Sequence, residues 1–190
     1  MKTLSTFLTI LFISLLSSPS FGEILTLEDL VKKDGLYFKK FSNVPFSGEW
    51  KTYTKSGQIY KQGSMKNGKL SGISKIFHED GTWTEEKYKD GKLDGFWTYF
   101  DKQGKVISKG NITEENLNGV IEGYNEDGKV IVKMYFKNSK LVSLNEYHKN
   151  GELSATGSMK NNQKDGLWKF YNIDGTLEKT ETYKDGKLVE

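Results

Sequence analysis

The stretch YKDGKLDGFWTYFDKQGKVISKG, Tyr88–Gly110, decides the fold of this chain. It contains a turn at Asp90-Gly91, an aromatic segment from Phe96 to Phe100 and a second turn that ends at Gly104. Short segments that are rich in aromatic and β-branched residues, and are bounded by turn residues, are typical of β-strands. The stretch therefore predicts consecutive β-strands joined by tight turns.

Versions of this stretch fill most of the chain. One turn glycine recurs in six copies, at steps of 24, 23, 24, 23 and 24 residues. Relative to that glycine, each copy has an aromatic residue four positions before it, an apolar residue two after, an apolar residue sixteen before and a glycine nine before. The turn glycines are Gly57, Gly81, Gly104, Gly128, Gly151 and Gly175, and the aromatic residues four before them are Tyr53, Phe77, Phe100, Tyr124, Tyr147 and Tyr171. The apolar residues two after are Ile59, Trp83, Val106, Val130, Leu153 and Leu177, and those sixteen before are Phe41, Met65, Tyr88, Ile112, Tyr135 and Met159. The glycines nine before are Gly48, Gly72, Gly95, Gly119 and Gly166, with Val142 as the exception in the fifth copy. Self-similarity at a fixed period indicates a repeat protein, and we number these copies units one to six.

Each unit is predicted to be a β-hairpin. Asn-Gly and Asp-Gly pairs suit type I′ turns, in which both central residues take positive φ. Such pairs begin at Asn67, Asp80, Asp90, Asp127, Asn150, Asp174 and Asp185. Successive hairpins then form one antiparallel meander of the all-β class. Because open sheets of more than ~10 strands twist or curl, we expect a long twisted ribbon in which stacked aromatic side chains supply most of the burial.

The start of the chain differs from the repeats. Residues 1–22 combine Lys2, an apolar run and small residues up to Gly22, a pattern typical of a secretory signal peptide. In residues 23–35, Thr26 and Asp29 have the spacing of a capping box, which predicts a short capping helix over the first strand. Residues 36–190 form the array of six units and a terminal half-unit. We therefore expect an exported protein, periplasmic or extracellular.

The composition excludes several classes of function. The chain has no cysteine, so a thiol nucleophile and a cysteine metal site are excluded. All 28 basic residues are lysine, and the net charge is +3. Nucleic-acid readers depend on the planar fork of arginine to bind phosphate and guanine. A nucleic-acid partner is therefore not expected.

The units resemble MORN repeats in their bacterial variant form, as in YKDGKLDGFWTYFDKQG and MKNNQKDGLWKFYNIDG. The resemblance covers residues 36–190. The opening LVKKDGLYFKKFSNVPFSGEW is also similar to the start of small bacterial proteins described as antitoxin components of toxin–antitoxin systems. The resemblance implies a β-hairpin scaffold, a non-catalytic role, and binding of protein or membrane lipid. Units four and five depart from the pattern, because Ile121 and Leu144 stand where other units have tryptophan.

Residues that carry chemistry are sparse. His78 and His148 lie three repeats apart, in a turn position that other units fill with Thr, Asp or Asn. The adjacent carboxylates of Glu85-Glu86 and Glu114-Glu115 point to opposite faces of a strand, so they do not form the facing pair that a glycosidase needs. We therefore predict no catalytic, cofactor-binding or metal-binding residues, and expect a protein that is not an enzyme.

Two aromatic rows are the candidate partner-binding residues: Trp50, Trp97 and Trp168, seven positions before the turn glycine, and Tyr53, Phe100 and Tyr171, four before it. The odd spacing places the rows on opposite faces, one packed inside and one nearer solvent. An exposed aromatic stripe suits a binding surface, whereas cross-strand stacking would only stiffen the sheet.

The function expected from this pattern is a protein-binding scaffold with an antitoxin-like or immunity-like action. The alternative is a protein that binds cell-envelope glycan or anionic lipid. Its charge would come from a row of lysines along one turn edge, namely Lys69, Lys92, Lys140, Lys164 and Lys187.

Overall fold

A computed structural model describes residues 24–112 and 117–189, with side-chain placement omitted for Ile112. Within these ranges the chain is a long meander of antiparallel β-strands, as the repeat predicts. The predicted signal peptide, residues 1–22, and the Glu114-Glu115 pair lie outside the described residues. Nothing helical in the described ranges has the length and hydrophobicity needed to cross a bilayer.

Consecutive strands are hydrogen-bonded neighbours through nearly the whole array. The strands are β1 (Leu25–Thr26), β2 (Leu30–Lys33), β3 (Leu36–Lys39), β4 (Gly48–Tyr53), β5 (Ile59–Lys66), β6 (Lys69–Phe77), β7 (Trp83–Lys89), β8 (Lys92–Phe100), β9 (Val106–Ile112), β10 (Gly119–Tyr124), β11 (Val130–Lys137), β12 (Lys140–Tyr147), β13 (Leu153–Lys160), β14 (Gln163–Tyr171), β15 (Leu177–Lys184) and β16 (Lys187–Leu188). One sheet contains β1 followed by β4 to β16 in chain order, and β2 and β3 form a separate hairpin.

The N-terminal capping helix predicted over residues 23–35 is not present in residues 24–35. A single 3₁₀ turn, Leu27–Asp29, takes its place. The predicted Thr26–Asp29 contact does form, because the Thr26 N–H donates to the Asp29 carboxylate at 2.9 Å. The chain extends on either side of this turn: β1 pairs in parallel with β4, and Leu30 begins β2. Strand pairing therefore wins over helix propagation, since one turn has too few hydrogen bonds to sustain a helix.

The N-terminal segment still caps the array. Leu25 and Leu30 are buried against Trp50 and Met65 of the first hairpin. The hairpin turn at Gly68 is fixed by the residues that follow this segment, because the Tyr37 N–H donates to the Gly68 carbonyl at 2.8 Å and the Gly68 N–H donates to the Phe46 carbonyl at 2.7 Å. The exposed edge of β4 is thus covered by an apolar cluster, as the end of a repeat array requires.

The turns are of two kinds, and the prediction of type I′ holds for one of them. At Asp90-Gly91 both residues have positive φ, 52° and 84°. Asp80 differs, because only Gly81 (φ 84°) has positive φ there. The Gly81 N–H donates to the His78 carbonyl at 3.1 Å, as in a type I turn followed by a left-handed glycine. The same correction applies to the turns that begin at Asp127, Asn150 and Asp174.

Bulges explain why the period alternates between 24 and 23. In five units one residue after the turn is skipped by the pairing, namely Tyr60, Ile107, Ile131, Ser154 and Glu178. Unit two has no such bulge, since Phe77 pairs with Trp83 and Ile76 with Thr84. The step from Gly81 to Gly104 is accordingly 23 residues.

The second short step comes from a smaller bulge around Val142. In units two, three and six two extra residues bulge near the glycines Gly72, Gly95 and Gly166, whose φ values are 80°, 100° and 87°. In unit five only Val142 is extra, between Tyr135 and Phe136 of the pairing register. Val142 does not take positive φ, so glycine is not required there.

Two members of the apolar row sixteen before the turn glycine are misplaced by counting. Phe41 lies in a loop with φ 65° and is fully exposed. In unit five the missing bulge residue shifts the register, so Phe136, rather than Tyr135, pairs with a glycine (Gly119) as Met65 pairs with Gly48.

The sheet has two distinct faces, because successive side chains alternate. We call the side that carries Trp50, Trp97 and Trp168 the tryptophan face, and the side that carries Tyr53, Tyr124, Tyr147 and Tyr171 the tyrosine face. On the tryptophan face an indole ring lies over a glycine of the neighbouring strand. Trp168 pairs with Gly157 and Trp97 with Gly110. A Cβ at Gly157 would overlap the Trp168 ring. The missing side chains of these glycines therefore leave the space that the indole rings fill.

Candidate protein-binding face

The tryptophan row expected to bind a partner is largely interior. Trp50 is 2% exposed and Trp168 is 0% exposed, while Trp97 is half-buried. Rings packed over neighbouring glycines have no surface to offer in this structure. The expectation is therefore corrected for Trp50 and Trp168, and unit two keeps the same position buried with Ser74.

The other predicted row lies on the tyrosine face. Tyr53 is 50% exposed, whereas Phe100 and Tyr171 are half-buried. Each row member pairs across the turn with an apolar residue, such as Tyr53 with Ile59 and Tyr171 with Leu177. Phe100 also stacks on Trp83, with ring centroids 5.0 Å apart. The row therefore combines cross-strand stacking with partial exposure, so it has features of both alternatives, a stiffened sheet and a binding surface.

Sequence analysis missed three exposed apolar residues of this face. Ile73, Phe96 and Leu167 occupy equivalent positions in units two, three and six, and they are 56%, 62% and 53% exposed. Each directly follows the bulge glycine of its unit. The bulge interrupts the ladder here, so the side chain stands clear of its neighbours. Their signal in the sequence is a glycine followed by an apolar residue at the start of the strand.

A row of polar residues runs along the middle of the tyrosine face. Each member pairs directly with the next across twelve consecutive strands, and we call the row the polar ladder. Its members are Lys51, Gln62, Lys75, Glu85, Thr98, Lys109, Glu122, Lys133, Asn145, Thr156, Lys169 and Thr180. The ladder lies between the aromatic row and the positions of Ile73, Phe96 and Leu167.

Glu122 is the centre of the ladder's strongest electrostatic network. Its carboxylate lies 3.3 Å from the Lys109 Nζ and 3.1 Å from the Lys133 Nζ. The Tyr124 hydroxyl donates to it at 2.6 Å. That hydrogen bond, followed by those from the two lysines, lowers the pKa of Glu122 to about 2. Hydrogen bonding to Tyr124 and then to Glu122 raises the pKa of Lys109, and hydrogen bonding to Glu122 raises the pKa of Lys133, so the network stays charged across the neutral range.

The lysines of the turn edge are not all equivalent. Lys69, Lys92, Lys140 and Lys187 are exposed next to type I′ turns. Lys164 instead turns onto the tryptophan face, where its Nζ lies 4.2 Å from the Trp168 ring centre. It also lies within 5.1 Å of the Phe170 and Tyr183 ring centres. This lysine is held by cation–π contacts and does not belong to the edge row.

The histidines and adjacent glutamates have structural contacts. His148 Nε2 lies 2.8 Å from the Tyr171 carbonyl, which links two units, and His78 Nε2 lies 3.0 Å from the Thr84 hydroxyl. Glu85 pairs with Lys75 at 2.8 Å, whereas Glu86 pairs with Lys61 at 3.2 Å. Across residues 24–112 and 117–189, no group of three or more His, Asp or Glu side chains is arranged to hold a metal ion.

Comparison with protein families identifies the hairpins. Three segments match the MORN repeat variant, at residues 46–67, 117–138 and 164–185. Each segment contains one hairpin of the sheet: β4–β5, β10–β11 and β14–β15. Units one, four and six are therefore similar to the variant form of the MORN repeat. Unit four matches even though Ile121 replaces the tryptophan.

Comparisons with whole proteins are less informative. No curated protein sequence matches this chain. Similar solved structures include the GtfA/B complex, at 16% identity and a TM-score of 0.27, covering 63% of this chain and 22% of that one. A mutant of S. aureus TarM in complex with fondaparinux, α-GlcNAc-glycerol and UDP is 15% identical with a TM-score of 0.24, covering 63% of this chain and 21% of that one. A second TarM structure is 14% identical with a TM-score of 0.21, covering 72% of this chain and 22% of that one. The chain thus spans about a fifth of these proteins, and TM-scores this low carry no conclusion.

Proposed function

We propose that this chain is a non-catalytic repeat scaffold that binds another protein through its tyrosine face. The observation that carries the proposal is the repeated exposure of Ile73, Phe96 and Leu167, each more than half exposed. Apolar side chains exposed singly need no explanation. Here the equivalent position is apolar and exposed in three of the six units, whereas Glu49, Val120 and Ser143 occupy it in the other three, and this recurrence favours an interaction surface. MORN variant repeats in three units support a scaffold role.

A capture experiment tests this proposal. The protein and a variant with Ile73→Ser, Phe96→Ser and Leu167→Ser are immobilised, and proteins retained from the producing organism are identified by mass spectrometry. A control variant carries Phe41→Ser, Val44→Ser and Leu188→Ser, which change exposed apolar residues away from this face, in the loop before β4 and opposite Tyr183 on the tryptophan face. We expect a protein that the parent and the control retain and the tyrosine-face variant loses. Retention by all three would refute the assignment of the face.

We propose further that the chain is exported and acts in the periplasm or outside the cell. The support is the pattern of residues 1–22, with Lys2, the apolar run and the small residues that end at Gly22. An antitoxin-like or immunity-like role then means inhibition of an exported partner. Intact mass measurement of the protein from its producing cell tests export: the expected chain begins at Glu23, and a chain that retains residues 1–22 would contradict it.

A second candidate function is binding of a glycan or an anionic lipid of the cell envelope. The exposed lysines Lys69, Lys92, Lys140 and Lys187 favour it, because they line one edge of the sheet. Charge-driven retention falls steeply with salt, whereas apolar docking persists. Sedimentation with envelope fractions at low and high salt separates the two candidates.

A further inference from the structure

We infer that the polypeptide bound on the tyrosine face presents acidic side chains to the polar ladder. This inference rests on the proposed function and names the chemistry of the partner. The ladder contains five lysines and two glutamates, a net charge of +3 on one continuous line. Complementary charge steers association and fixes the register of a partner, so a basic line selects an acidic one.

The lysines at the two ends of the ladder are the free cations. Lys75, Lys109 and Lys133 are paired with the ladder's own glutamates at 2.8, 3.3 and 3.1 Å. Lys51 and Lys169 have no acidic partner within salt-bridge distance among the described residues. The two lie ten strands apart, about 50 Å at ~4.8 Å per strand. A partner that reaches both is extended along the ladder.

The side chains beside the ladder favour a polypeptide over an acidic glycan. Ile73, Leu167 and Leu177, which are 56%, 53% and 55% exposed on this face, are aliphatic. Aliphatic groups pack against protein side chains, but they lack the flat aromatic face on which a sugar ring stacks. Phe96 and Tyr53 do expose an aromatic ring, by 62% and 50%, but they lie four strands apart and form no continuous stacking platform. Phe100 is already stacked on Trp83. The surface therefore fits a chain that combines acidic and apolar residues.

Fluorescence anisotropy with labelled poly-L-glutamate tests the inference at low salt. The parent is compared with Lys51→Glu/Lys169→Glu, and with a control, Lys55→Glu/Lys149→Glu, that makes the same charge change at exposed turn residues outside the strands. We expect the ladder variant to bind at least ~10-fold more weakly and the control to change by less than ~3-fold. Equal weakening by both variants would show attraction to net charge alone and would overturn the inference.

A gain of binding guards against variants that simply unfold. Glu122→Gln releases Lys109 and Lys133 from their shared carboxylate, so we expect tighter binding of poly-L-glutamate. Glu146→Gln makes the same charge change on the tryptophan face, since Glu146 pairs with Ala155 next to the Gly157 position, and we expect no comparable gain. Unchanged binding by Glu122→Gln contradicts the inference.

Alginate serves as the acidic-glycan probe. If the parent does not bind poly-L-glutamate, the assignment to an acidic polypeptide is overturned. Ladder-dependent binding of alginate in that case would point to an acidic glycan instead. The inference can fail while the proposed function stands: the protein captured through Ile73, Phe96 and Leu167 would still be lost from the serine variant. If that capture fails as well, the tyrosine face is not the binding face.

Discussion

Replacing Gly157 with alanine tests the packing that buries Trp168 on the tryptophan face. Its Cβ would overlap the ring of Trp168, which is 0% exposed and whose Nε1 donates to the Ser158 carbonyl at 3.0 Å. Overpacking a well-filled core costs about 1–3 kcal/mol, and moving the ring would also lose a hydrogen bond of about 1 kcal/mol. We therefore expect a loss of about 3 kcal/mol of unfolding free energy, near the top of that range. For a chain of this size that lowers Tm by about 6–12 °C.

The assay is a double-mutant cycle with Trp168→Ala, followed by urea denaturation. If the ring causes the cost, Gly157→Ala should be neutral or stabilising without it, because alanine is favoured over glycine in a strand by about 0.5–1 kcal/mol. The interaction term of the cycle isolates the contact. An equal cost of Gly157→Ala in both backgrounds would refute the packing of indole over glycine.

Three further outcomes follow from local geometry. The pKa of Glu122 is lowered from 4.5 to about 2, so its charge stabilises the fold above pH 4.5 and this contribution is lost as the pH falls toward 2. Glu122→Gln should therefore reduce the free energy of unfolding by about 0.5–1 kcal/mol at neutral pH and leave it unchanged near pH 2. Urea denaturation across that pH range measures the difference. Gly68 and Gly128 have nearly equal φ, 75° and 74°, but a Cβ at Gly68 would lie 2.9 Å from the Tyr37 carbonyl whereas Gly128 is open; alanine should cost about 1 kcal/mol at Gly128 and about 1–2 kcal/mol more at Gly68, and equal costs would contradict this. Phe41 has φ 65° and is fully exposed, so Phe41→Gly should stabilise the fold by about 1 kcal/mol in thermal denaturation, and destabilisation would show a contact that the structure lacks.

The repeat and its hairpins were predictable because each unit keeps the same chemistry at fixed positions. The two steps of 23 residues have no recognisable cause in the sequence alone. In the structure each marks a unit that lacks one bulge residue, beside Thr84 in unit two and beside Val142 in unit five. A bulge changes the number of residues without changing the side-chain pattern. Counting alone therefore assigned Tyr135 to a position that Phe136 occupies.

Alternation placed the two aromatic rows on opposite faces, but it could not say which face would be buried. That depends on contacts between neighbouring strands, where Gly157 and Gly110 leave room for Trp168 and Trp97. The polar ladder was hidden for the same reason, because register pairs residues that are far apart in the sequence. At the N-terminus, the Thr26–Asp29 signal was real, but strand pairing of Leu25 with Trp50 decided the structure.

Single cysteines can test which face binds, since the chain has no cysteine of its own. Thr98→Cys lies on the polar ladder, whereas Ser108→Cys lies on the tryptophan face, where Ser108 pairs with Tyr99; both native residues are half-buried in neighbouring strands. Each variant is labelled with a bulky maleimide, and its binding to poly-L-glutamate and to the captured protein is compared with that of the unlabelled variant. Binding should be blocked by the label at position 98 and retained with the label at position 108. Loss of binding only with the label at position 108 would contradict the assignment of the tyrosine face.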